Sequence, residues 1–129
     1  MKHRVKLERD YRASCYLAGK DVARIGRSAP ALDALLRRWH VPEGVFIAAG
    51  NPCSRPMAAG WNARRHAALR ERLRRLSYVE GEGGAKRWWE AHCFIGISAA
   101  RGKRLARLFR QTAMVALRRG AKARLIWVF

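Results

Sequence analysis

A chain of 129 residues, half of them hydrophobic, is long enough to bury a core without staples, which excludes a mainly disordered protein. Twenty-eight Lys and Arg against nine acids give a net charge of +19, which bears on partners and not on fold. No run approaches the ~20 apolar residues of a membrane helix, and three widely spaced cysteines make no disulfide framework, so a soluble cytoplasmic protein is expected.

The first ten residues are mostly charged and are expected to be a flexible basic arm, with residues 11–129 as one domain. The start MKHRVKLERDYR is followed by no apolar run, so it does not read as a signal peptide. Tyr11 to Leu17 and Val22 to Ile25 read as two strands around the turn Ala18-Gly19-Lys20-Asp21. Ser28-Ala-Pro30 opens a helix, with Ser28 as the acceptor for its first N–H groups. Leu32, Leu35, Leu36 and Trp39 then mark one helical face, and Pro42 and Gly44 end it.

Val45 to Ala49 is short and uniformly apolar, the pattern of a central strand. A loop containing Pro52 and Pro56 follows, then a helix whose stripe is Asn62, His66, Leu69, Leu73 and Leu76. Ser77 to Glu80 reads as a strand, Gly81-Glu-Gly-Gly84 as a turn and Trp88 to Ile97 as the next strand. A last helix is expected over 100–118, placing Arg104, Arg107, Gln111 and Arg118 on its far side, before a final strand over 124–129. The order ββαβαββαβ implies an α+β or α/β fold, a single mixed β-sheet with three helices packed on it.

Polar residues gather where the central strand ends. Asn51 stands just past it and can bond the loop's backbone or present its amide to a ligand. Asn62 and Arg65 fall in the first turns of the next helix, where free N–H groups favour an anion. The structural alternative makes Asn62 an N-cap and pairs Arg65 with Glu90. Glu90 follows Trp88 and Trp89, whose apolar surface would raise its pKa, making it the one candidate for acid–base chemistry.

Other chemistry is thinly supported. Cys53 as a nucleophile would need His66 or His92 as base and an orienting third group. His92 and Cys93 are adjacent in a strand and point to opposite faces, so no metal site is expected, and no cofactor. Trp61, Trp88 and Trp89 are core packing or platforms for bases.

Ile25-Gly26, Phe46 through Asn51-Pro52-x-Ser54, Asn62-x-x-Arg65, Trp89-Glu90, Gly96 and Phe109-x-Gln111-x-Ala113 occur in an order that resembles domain-of-unknown-function family 3293, small bacterial proteins. The resemblance runs from about Tyr11 to the end, with Ala48-Ala49-Gly50 where that family usually has Thr-Ala before Asn-Pro. It implies no activity. It does imply that Asn51, Ser54, Asn62, Arg65, Glu90 and Gln111 belong to one ligand-binding site.

Two functions follow. One is a nucleic-acid-binding or regulatory module that holds RNA or DNA phosphates through Arg64, Arg72, Arg75, Arg104, Arg107 and Arg118. The other is a protein or enzyme that takes an anionic metabolite or nucleotide at the corner of Asn51, Asn62, Arg65 and Glu90. The same charge would also serve an acidic protein partner, and arginine written by a GC-rich genome explains it without any partner.

Overall fold

The computed structural model describes residues 2–129. Its frame is one seven-stranded antiparallel sheet that curls until its two edges meet. Chain order is α1 (Lys2–Ala13), β1 (Cys15–Ala18), β2 (Asp21–Ala23), α2 (Pro30–Arg38), β3 (Glu43–Ala48), a tight turn over Pro52–Ser54, α3 (Ala59–Leu73), β4 (Tyr78–Ala85), β5 (Trp88–Ile95), α4 (Ala99–Leu108), β6 (Ala113–Arg118) and β7 (Arg124–Trp127). In the sheet the strands lie as β2-β1-β4-β5-β3-β6-β7. Past the outer strands, Ile25 bridges Ala123, and the Gly26 amide donates to the Ala123 carbonyl at 2.8 Å.

This is the expected α+β class built on a single sheet, and β3 is central, between β5 and β6. Several expectations need correction, the first being the mixed sheet: every strand pair in it is antiparallel. Among the described residues there are four α-helices and not three, because residues 2–13, read as a basic arm and the start of a strand, form α1. Their Lys, Arg, Leu and Glu are good helix formers, and Glu8 accepts from Arg12 one turn on at 3.4 Å. The charge density that suggested an arm is compatible with a surface helix once Leu7 and Tyr11 have a sheet to rest on.

The last helix stops at Leu108, and Ala113–Arg118 is a strand. Phe109 caps the helix and Arg110 turns left-handed with φ 52°, after which Met114 to Leu117 are all buried. A strand covered on both faces is continuously apolar, and over so short a run that pattern does not separate strand from helix. The supposed row of Arg104, Arg107, Gln111 and Arg118 therefore belongs to three different elements.

The glycines of Gly81-Glu-Gly-Gly84 lie inside β4 and make no turn. A Cβ on Gly81 would sit 1.8 Å from the Leu17 carbonyl oxygen of the neighbouring strand, and one on Gly83 would sit 2.8 Å from His92 Nδ1. Close approach of β1 to β4 requires them. At α2, the N-cap is Ala29 and Ser28 makes no cap bond; Ser28 instead bridges to Lys122 across the closing edges.

The curl gives the sheet an inside and an outside. Along β5, Phe94, His92, Glu90 and Trp88 face inward, while Ile95 and Cys93 face outward. One end of the inside is filled by α2, where Leu32, Leu36, Phe94 and Leu117 are fully buried. Helix α1 covers the other end. Helices α3 and α4 pack outside, burying Leu69, Leu73, Ala106 and Phe109 against Val45, Ile47, Cys93 and Ile95. On this face a Cβ at Gly102 would come within 2.9 Å of Val45, so α4 lies unusually close to β3.

Candidate functional site

At the open end of the sheet, β3 leaves the core and must turn sharply. Asn51, Cys53 and Ser54 all have positive φ, at 46°, 53° and 61°. Three such residues outside glycine are costly, and they hold only where the surroundings over-determine them. The bonds that do so converge on Asn51. Its Oδ1 accepts from the Met57 amide at 3.0 Å and from Asn62 Nδ2 at 2.8 Å, and its own amide N–H donates to Asn62 Oδ1 at 2.9 Å. Its Nδ2 donates to Glu90 Oε1 in a short hydrogen bond. Asn51 thus fixes the loop and also presents its amide to the interior.

The neighbouring loop is tied to the first. Gln111 Nε2 donates to the carbonyls of Gly50 at 2.9 Å and Phe109 at 3.0 Å, and the Cys53 amide donates to the Arg110 carbonyl at 2.6 Å. Ser54 Oγ and Thr112 Oγ1 share a hydrogen bond of 2.8 Å. Gly50 has no room for a side chain, since a Cβ would meet the Asn62 carboxamide at 2.9 Å.

These loops form one wall of a cavity of about 500 Å³ between α1 and the inner face of the sheet. Its floor is Tyr16, Phe46, Glu90, His92 and Val115, and α1 contributes Leu7, Asp10 and Tyr11 from above. Tyr11 is anchored by an edge-on contact with Trp127 at 6.0 Å, and its carbonyl accepts from the Tyr16 hydroxyl at 2.9 Å. Arg4 stacks over the same Trp127, 4.1 Å from the ring centre.

Burial sets the protonation of the lining. It pushes the Glu90 carboxyl above the ordinary carboxylate range, with the Asn51 hydrogen bond opposing. It pushes the Tyr11 hydroxyl up as well, against the Ser54 and Thr112 hydroxyls and with help from the Glu90 charge. His92 is lowered to about 4 by burial, so at neutral pH it is uncharged. Its Nε2 lies 2.6 Å from the Leu17 carbonyl and must be the protonated nitrogen there.

Of the six residues grouped by sequence, Asn51, Ser54, Glu90 and Gln111 line the cavity. Asn62 stands behind Asn51; it is not the N-cap, because α3 begins earlier with Ala58 in that role. Arg65 is not in the cavity and does not pair with Glu90 among the described residues. It lies on the outer face, 4.7 Å over the Phe109 ring and 6.0 Å from that of Trp61. The residues that sequence reading passed over are Tyr11, Tyr16 and Thr112. Tyr11 was hidden by the absence of a visible helix, and the others by pairings that no local pattern encodes.

Arg64, Arg72 and Arg75 are exposed on or just after α3, and Arg104 and Arg107 on α4. Arg118 ends β6, 3.9 Å from Glu43, whose other oxygen accepts from the Ala99 amide at the start of α4. Cys53 is exposed, while His66 bonds Glu80 and His92 bonds Leu17, so neither imidazole serves the thiol. Among the described residues, no three His, Cys, Asp or Glu side chains cluster as metal ligands. Nor is any helix long and apolar enough to cross a membrane.

The family model described as "Protein of unknown function (DUF3293)" matches residues 47–114, slightly more than half of the sequence. The chain belongs to this family. The matched span contains Asn51, Ser54, Asn62, Glu90 and Gln111, while α1 and Tyr11 lie before it. No curated protein and no solved structure matches the chain.

Proposed function

We propose that this protein binds a small molecule in the cavity between α1 and the inner face of the sheet. The observation that carries the reading is Glu90: a half-buried carboxyl, one oxygen held by Asn51, on the wall of a cavity of about 500 Å³. That volume is typical of small-ligand sites, as is a largely apolar lining with a few fixed polar groups. The strained loop adds support, because stored backbone strain clusters at ligand clamps. The expectation of an anionic ligand finds no support in the lining, since Arg65 is elsewhere.

The test is thermal stabilisation by a panel of small polar aromatic compounds, in the natural protein and in Ala48→Trp. Ala48 lines the cavity, and an indole there would fill much of it. Compounds that raise the melting temperature of the natural protein should fail to do so in Ala48→Trp. Equal stabilisation of both would place the ligand elsewhere and end the proposal.

A second reading rests on a separate observation. Arg64, Arg72, Arg75, Arg104 and Arg107 are exposed and, among the described residues, pair with no carboxylate. In a chain of net charge +19 they make a basic outer surface that suits RNA or DNA phosphates. Mobility-shift titrations should show log affinity falling with log salt by several units, and each Arg→Ala on α3 or α4 should lower that slope by about one. No shift at moderate salt would rule it out.

A further inference from the structure

The composition of the cavity wall is unlike that of the rest of the chain. Outside, arginine is everywhere; among the described residues none lines the cavity, although the sequence has 22. Its ionisable groups are Asp10 and Tyr11 from α1, Tyr16 from β1, Lys86 from the β4–β5 turn, and Glu90 and His92 from β5. Lys86 is exposed at the rim, His92 and the two phenols are uncharged at neutral pH, and of the two acids Asp10 is exposed while Glu90 is half-buried.

The hydrogen-bond donors are largely spent. Gln111 gives both its bonds to Gly50 and Phe109, Asn51 gives its amide to Glu90, and one of the Ser54 and Thr112 hydroxyls donates to the other. An anion entering here would meet the Glu90 carboxylate and no guanidinium, with Lys86 at the rim as the cation of the lining. A cation would meet the Glu90 carboxylate in a wall that also includes the rings of Tyr16, Phe46 and Trp88. Aromatic faces attract cations through the ring quadrupole, more strongly where water is excluded. A buried carboxylate is costly alone and is stabilised by an opposite charge brought to it.

We propose that the cavity takes an organic cation, an amine carried on a flat apolar body, with its ammonium on Glu90 and its body against Tyr16, Phe46 and Trp88. This rests on the cavity being a ligand site and adds the charge of what enters. It reverses the sequence-based expectation of an anionic metabolite at the same corner. The site is thus a negative pocket in a positive protein, which draws its ligand by local contacts and not by the long-range field.

The experiment is calorimetric titration with three near-isosteric probes: tryptamine, which is cationic, tryptophol, which is neutral, and indole-3-acetate, which is anionic. At pH 7.5 tryptamine should bind at least tenfold more tightly than either of the others. Its affinity should weaken as the pH falls and Glu90 takes up its proton, while that of tryptophol should not. Glu90→Gln should cost tryptamine at least tenfold and leave tryptophol unchanged. The probe series on the natural protein stands even if that variant folds poorly.

Equal binding of tryptophol or indole-3-acetate, abolished by Ala48→Trp, would overturn the charge assignment and leave the cavity as a ligand site. Binding of none of the three, together with no compound distinguishing Ala48→Trp from the natural protein, would overturn both.

Discussion

The two ends of the curled sheet are closed by helices of opposite character. At one end α2 inserts Leu32, Leu35 and Leu36 between Phe94 and Leu117, and the interior is filled. At the other, α1 offers only Val5, Leu7 and Tyr11 among twelve mostly charged residues, and Val5 itself is exposed. A helix with a full apolar stripe packs into a plug. One with a sparse stripe can only roof a space, and the groups beneath it remain available to a ligand. The difference teaches that the cavity is the consequence of an apolar face that is too thin to fill the end it covers.

The sharpest way to break this comparison is to weaken the plug. Leu36→Ala removes a fully buried side chain, and should cost about 2–5 kcal/mol in urea unfolding. A cost as small as that of a change on α1 would mean the two ends are not energetically distinct.

Next in size is the acid sensitivity of His92, which stands between the ends against Tyr16 and Phe46. Its pKa is about 4 in the folded protein against 6.5 unfolded. The unfolded chain therefore gains the proton first. The stabilisation it gives is complete above pH 6.5 and is lost as the pH falls toward 4. The full difference is about 3 kcal/mol by linkage. His92→Gln, which can still donate to the Leu17 carbonyl, should lose that part of the pH dependence when melting temperatures are compared from pH 7 to 4.

Asn51→Ala removes the bonds to Met57, Asn62 and Glu90 and leaves a left-handed residue without its support. A loss of about 2 kcal/mol is expected, accompanied by faster amide exchange at Cys53 and Met57. If exchange there is unchanged, the loop does not depend on Asn51.

The smallest effect comes from Glu90→Gln. Because the folded pKa of Glu90 is raised, its contribution is present below the ordinary carboxyl range and is lost as the pH rises through the folded value. The variant keeps an acceptor for Asn51 and carries no buried charge. Its melting temperature relative to the natural protein should therefore rise between pH 4 and pH 8. A difference that stays flat would mean that Glu90 is not desolvated.

Much of this was legible in the chain. The stripe of α2, the central strand β3 and the corner where Asn51 and Asn62 meet Glu90 follow from periodicity, proline and glycine placement, and the order of short motifs. The stretch from Ala100 to Arg118 was misread because Ala113–Leu117 is apolar in a way that a helix and a doubly covered strand share. Arg65 was misplaced for a similar reason. It neighbours Asn62 on the helix, but one turn further along α3 the side chain meets Phe109 on the outer face and not the cavity.

The sequence by itself determined the α+β class, the family and the polar group at the end of β3, because helical and strand periods and turn residues are local properties. Only the tertiary structure decided that the sheet closes on itself, that α1 exists to cover it, and that the interior excludes arginine. Those features depend on pairings such as Ile25 with Ala123 and Tyr11 with Trp127, whose partners lie about a hundred residues apart and leave no mark on either segment alone.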